Sequence, residues 1–117
     1  MAEYTFHMSS ETVRTIQKES DGQKVLAAIA SDVEDDESQL GHMLDHYCKH
    51  DDGTVDAASM AVDADSSIIK YDGTGYLVIS FQEDAFRGCS DMDKHEEHAP
   101  EVEFKFDVAS KKLVFSV

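Results

Sequence analysis

His42, His46 and His50 recur at i, i+4 and i+8, with Cys48 among them. On a helix this spacing stacks the imidazoles on one face, where they could supply two ligands of a zinc site. Projection of that helix puts Leu40, Leu44 and Tyr47 on the opposite side, so His42 and His46 point to water. His95 and His98, the ends of "HEEH", have no matching second pair in the sequence. These histidines read as solvated, and no metal or other cofactor is expected. "DDGTVD" and "DADSS" lack the alternating acid spacing, and the glutamate at position twelve, of a calcium loop. There is no nucleophile elbow, Gly-rich phosphate loop or H-E-x-x-H helix. A Cys–His or Ser–His pair assembled from distant positions is a reading that spacing leaves standing. The expectation is a protein that is not an enzyme, with a metal-dependent enzyme as the weaker alternative.

A different chemistry is written in the acids. "SDVEDDESQ", residues 31–39, holds five carboxylates in six positions: Asp32, Glu34, Asp35, Asp36 and Glu37. More follow as Asp51, Asp52 and Asp56, then Asp63 and Asp65, then Glu96 and Glu97, then Glu101, Glu103 and Asp107. Over 117 residues, 25 acids face ten lysines and arginines, a formal net charge of −15. Solubility of a small domain is served by a net charge of about 2 to 8 in magnitude. Residues 1–30 carry four acids and three bases, and residues 108–117 carry two lysines. The remaining −16 lies in residues 31–107, with 21 acids against five bases. Halophilic adaptation would spread such a bias evenly. This charge is regional.

The elements that carry these acids follow from periodicity. Ser9 or Ser10 caps a first helix to about Glu19, with Val13 and Ile16 inward. "SDGQ" ends it, and Val25, Leu26 and Ile29 mark a second helix from Gln23 to about Ala30. Ser31 and Glu34 match a capping box, so a third helix is expected to start inside the acidic run. Leu40, Met43, Leu44 and Tyr47 continue it, and Gly53 suits its end. In that position Asp32 and Glu34 would complement the helix dipole. From Ser66 the period becomes two, and "SIIKYDGTGYLVISFQE" reads as a hairpin. "EVEFKFDVASKKLVFSV" reads as another, with Val102, Phe104, Phe106 and Val108 on one face and Glu101, Glu103, Lys105 and Asp107 on the other. "RGCSDMDKHEEHAP" reads as an acidic surface loop, and residues 54–65 as either a short helix or an edge strand. The expected fold is one α+β domain over residues 1–117, with N-terminal helices packed on one face of a small antiparallel sheet of two C-terminal hairpins.

No apolar run approaches the ~18 residues of a membrane span, and "MAEYTFHMSSE" lacks a basic and apolar leader. A cytoplasmic protein with Cys48 and Cys89 as free thiols is expected. Phosphates attract basic patches, so direct nucleic-acid binding is disfavoured. A basic, DNA-binding protein is the complementary partner. Acids three or four apart on a helix lie ~5–6 Å apart, and alternate residues of a strand rise ~6.6 Å. Both steps are of the order of the spacing between neighbouring backbone phosphates. Asp32, Asp35 and Asp36 fit the helical version, and Glu101, Glu103 and Asp107 the strand version.

The size, the charge and the rows "SDVEDDES", "HDDGTVD" and "DKHEEHAPEVE" resemble the DNA-mimic proteins. They are most similar to the Neisseria mimic that binds the histone-like protein HU. The resemblance covers the whole chain loosely and rests on charge layout. It implies a monomer that occupies the DNA-binding face of a nucleoid protein, competes with DNA and modulates nucleoid binding. An immunity protein, or a phage-type inhibitor of a nuclease, restriction or CRISPR complex, would use the same electrostatics.

Overall fold

The computed structural model describes residues 2–49, 53–70, 72–85 and 94–117, and the sheet begins almost at once. "EYTFH" forms β1, Glu3–His7, in which Phe6 is buried while Glu3, Thr5 and His7 face out. Three helices follow: α1 (Ser10–Lys18), α2 (Gly22–Asp35) and α3 (Glu37–Leu44), the last running into a 3-10 turn at Asp45–Tyr47. The remaining strands are β2 (Gly53–Val55), β3 (Ala61–Ile69), β4 (Thr74–Ala85), β5 (Lys94–His98), β6 (Glu101–Asp107) and β7 (Lys112–Ser116). The seven strands make one curled half-barrel sheet, antiparallel throughout.

The expectation of a small two-hairpin sheet under N-terminal helices is therefore corrected. The β3–β4 and β6–β7 pairings correspond to the two expected hairpins, but they are parts of a larger sheet. β1 closes on β7 from the far end of the chain, a pairing that local periodicity cannot reveal. Residues 54–65 are divided between β2, a 3-10 turn at Ala57–Ser59 and β3. "KHEEH", expected as loop, is β5. It carries no aliphatic side chain, so polar alternation hid it.

β4 is the spine. Gly75, Leu77, Ile79, Phe81, Glu83 and Ala85 are buried along one face, and the residues between them are partly exposed. Along one edge β4 pairs with β6 and then β5 in a single register, Val78↔Glu101 and Phe81↔His98. β5 and β6 are thus one line of strand interrupted at Ala99–Pro100. Pro100 has no N–H to give, but its carbonyl accepts the Ile79 N–H at 3.1 Å. Along the other edge lie β3 and β2, with a register shift between Asp63 and Ile68. Buried Ser67 fills that irregularity: its hydroxyl accepts the Val78 N–H at 2.9 Å and donates to the Asp63 carbonyl at 2.7 Å. A backbone donor that the shift would orphan is thereby satisfied.

The helices pack into the inner face. Val25, Leu26, Ile29 and Val33 of α2 and Leu40, Met43 and Leu44 of α3 share one cluster with Leu77, Ile79, Val102, Leu113 and a stack of Phe6, Phe115 and Phe104. The rings of that stack meet edge-on at 5.3 and 5.9 Å. α1 starts at Ser9, whose hydroxyl accepts the Thr12 N–H, as expected. The break at Ser31 is corrected. Buried Ile29, Ala30 and Val33 keep helical spacing straight through the would-be capping box, so α2 runs on to Asp35. Asp36 then caps α3 by accepting from the Gln39 N–H. The Gln39 side chain in turn donates to the Thr5 carbonyl on the free edge of β1, which blunts an edge open to pairing with another chain. No helix among the described residues is long and apolar enough to cross a membrane.

Candidate functional site

Because β5 and β6 keep one register, their side chains keep one phase. Glu97, Glu101, Glu103, Lys105 and Asp107 all point outward and are exposed. Glu101 and Glu103 stand ~6.6 Å apart along the strand. Cross-strand register extends the array on both sides. Asp63 faces Val78, which faces Glu101, while Glu3 faces Ser116, which faces Glu103. Two inter-strand steps of ~4.8 Å put each flanking acid roughly 10 Å from its counterpart on β6. An apolar pair lies at the β3 edge of this face: Ile68, 45% exposed, opposite the partly exposed Tyr76, which in turn faces Glu103. Apolar contact beside exposed charge suits a protein partner. Glu3, which composition assigns to the nearly neutral N-terminal stretch, belongs to this face.

The acidic run of residues 32–37 lies elsewhere, at the elbow between α2 and α3. Asp32, Asp35 and Asp36 gather with His7, Met8 and Ser9 around a shallow hollow. Asp32 is half-buried and accepts the Ser9 N–H at 3.0 Å, and Asp36 is the α3 cap. Glu34, Asp35 and Glu37 are exposed. Asp32, Glu34 and Asp35 occupy the last turn of α2, where the helix dipole opposes negative charge at a cost of about 0.3–1 kcal/mol each. The expected dipole explanation for Asp32 and Glu34 is thus reversed. Glu34 and Asp35 are held against local stability.

Other acids have local duties. Asp56 caps the 3-10 turn by accepting the Ala58 N–H, Asp63 accepts the Ser66 N–H and hydroxyl, and Asp107 accepts the Ala109 N–H and the Ser110 hydroxyl. Asp65 is exposed at the β3 irregularity. Asp51 and Asp52 lie outside the described residues. No single row therefore unites all the candidate acids: the elbow and the outer sheet face are two separate groups.

Glu96 joins neither. It points to the inner face, directly opposite Glu83, which is 0% exposed and occupies the phase of β4 otherwise filled by Leu77, Ile79 and Phe81. The Glu83 carboxylate accepts the Lys49 N–H at 2.9 Å and meets His98 Nε2 at 2.7 Å. His98 Nε2 also lies 3.9 Å from Glu96, and Lys49 Nζ stands 3.4 Å from Glu96 Oε1. Gly53 makes room for the buried carboxylate, since a Cβ there would fall 1.9 Å from Glu83 Oε2. His98, with 9% of its side chain exposed, is not the solvated histidine expected. His42 and His46 are exposed, and His46 Nε2 meets the Tyr4 hydroxyl at 2.7 Å.

Sequence reasoning missed Glu83. The available signal was a charged residue at a buried position of a strict alternation. Cys48 lies near it, and its thiol is pushed up to about 11, first by burial and then by the charges of Glu83 and Asp45. Such a thiol carries little thiolate and is a weak nucleophile at neutral pH. On the outer face, the Asp84 carboxyl is held below the usual range by hydrogen bonds from Gln82 and His95, each at 2.7 Å. Comparison with protein-family models, with curated proteins and with solved structures gives no match.

Proposed function

We propose that this protein is a binding module for a basic, DNA-binding protein, and that the outer sheet face stands in for a stretch of DNA backbone. The observation that carries this reading is the exposed outward phase of Glu97, Glu101, Glu103 and Asp107 along one strand line, flanked by Asp63 and Glu3. Rigid sheet geometry holds these charges at fixed spacing without ordering long side chains on a loop. Ile68 and Tyr76 add apolar contact, which phosphates cannot supply. A net charge of −15 accelerates encounter with a cationic surface and selects against DNA itself. The like charges repel in the free protein, and that repulsion is relieved when the partner's lysines and arginines arrive. Following the resemblance to DNA mimics, the histone-like nucleoid protein HU is the partner to test first. Binding would compete with DNA and alter nucleoid occupancy.

The test is a competition. Fluorescently labelled duplex DNA is bound to HU, and the protein is titrated in while anisotropy is followed. Release of DNA, with an apparent affinity that falls steeply between ~0.05 and ~0.5 M salt, supports the proposal, because contacts between exposed charges are screened over that range. DNA retained in a ternary complex, or an affinity that stays flat with salt, overturns it.

A further inference from the structure

We infer that Glu83, Glu96 and His98 form a binding site for a divalent first-row transition metal ion, with Zn2+ as its probe. One ligand atom from each of the three lies within 4.8 Å of the other two. They stand on two adjacent strands rather than on loops: Glu83 and Glu96 are a directly opposed pair of β4 and β5, and His98 is two residues along from Glu96 on the same face. Two like charges placed opposite each other across strands repel, and one of these is wholly buried. A cation between them would offset that repulsion. His98 Nε2 and the Lys49 ammonium border this space, Lys49 from the Oε1 side of Glu96 and His98 nearest its Oε2.

An imidazole nitrogen with two carboxylate oxygens suits Zn2+ and its neighbours better than Mg2+ or Ca2+, which prefer oxygen alone. Three protein ligands leave a position for water. Ligand atoms on one metal stand somewhat over 3 Å apart for bonds of about 2.0–2.1 Å, so His98 Nε2 and Glu83 move apart slightly from their 2.7 Å hydrogen bond. The metal takes the place of the hydrogen that Nε2 shares with Glu83, and that proton passes to Nδ1 or to solvent. Its charge of +2 cancels the two carboxylates. A bound ion would pin β5 to β4 beside Glu97, at the end of the outer acidic row, whatever partner that row engages.

The experiment is calorimetric titration of the untagged protein with Zn2+ at fixed ionic strength, with Co2+ absorption as a second report on coordination. Wild type and a His42→Gln/His46→Gln variant are expected to bind one equivalent with the same affinity. Glu96→Gln keeps the side-chain shape at a partly exposed position, and circular dichroism checks its fold. It should bind at least about 10- to 100-fold more weakly, the loss seen even for outer-shell partners of a metal. His98→Gln should lose the Co2+ ligand-field bands. Wild type with no stoichiometric event, or Glu96→Gln with wild-type affinity, overturns the site. Loss of binding in the His42→Gln/His46→Gln variant would place the metal on His42 and His46 instead and overturn the site.

Discussion

Replacing Glu83 by alanine removes a buried carboxylate that accepts from the Lys49 N–H and from His98 Nε2 at 2.9 and 2.7 Å. Hydrogen bonds to charged groups contribute about 1.5–3 kcal/mol each. The loss of two of them puts the cost of Glu83→Ala at about 3–6 kcal/mol. A domain has ~5–15 kcal/mol in total, so the variant should sit near the edge of folding. Glu83→Gln keeps an acceptor for Lys49 and should cost less. The double variant Glu83→Leu/His98→Phe removes both members of the pair and should recover part of the loss, because apolar replacement of a buried pair is often neutral. It should still lack about 1–3 kcal/mol for the orphaned Lys49 N–H. Urea unfolding followed by circular dichroism measures all three, with the slope compared to detect loss of two-state behaviour. A Glu83→Ala variant destabilised by less than about 1 kcal/mol, the worth of an ordinary neutral hydrogen bond, would refute the claim that this carboxylate is held by a buried network.

Asp35→Asn and Glu34→Gln should each stabilise the free protein by about 0.3–1 kcal/mol, since both acids lie in the last turn of α2 against its dipole. Urea midpoints at low salt test this, and unchanged or lower midpoints would contradict it. Cys48 should resist alkylation: an ordinary thiol is about half ionised at pH 8.5, whereas a thiol with a pKa of about 11 is ionised to roughly 0.3% there. Its raised pKa places the rise in reactivity between about pH 10 and 12, read by peptide mass spectrometry after timed iodoacetamide treatment. Fast labelling of Cys48 near pH 8 would show that burial and Glu83 do not hold it protonated.

How far the fold was legible depended on whether an element could be read locally. α1 announced itself through Ser9 and its apolar spacing, and the β3–β4 turn through Asp72 and Gly73. Gly73 has φ of +84°, and Asp72 accepts the Thr74 N–H at 3.0 Å. β1 was not legible, because five residues containing one fully buried side chain acquire strand geometry only by pairing with β7 from the other end of the chain. β5 was hidden because Glu96 and His98 fill inner positions that a core strand gives to aliphatic residues. The outward phase of Glu101, Glu103 and Asp107 was readable from strict alternation. Its extension to Glu97 and Glu3 was not, since it depends on a register kept across Pro100 and on β1 closing the sheet. The capping box at Ser31 misled because tertiary burial of Val33 outweighs a local capping preference.

In the function proposed above, the outer sheet face, rather than net charge alone, recognises a basic partner. The direct measurement is the affinity for HU of two variants with the same net charge, Glu101→Gln/Glu103→Gln on the outer row and Glu34→Gln/Glu37→Gln at the helical elbow, both at one low ionic strength. The row variant should bind several-fold more weakly than the elbow variant, because in the proposed interface the row's charges would touch the partner, while charges outside it would act only through a field screened over ~10 Å at 0.1 M salt. Equal weakening of the two variants, or wild-type affinity in the row variant, would contradict the assignment of the outer face as the site.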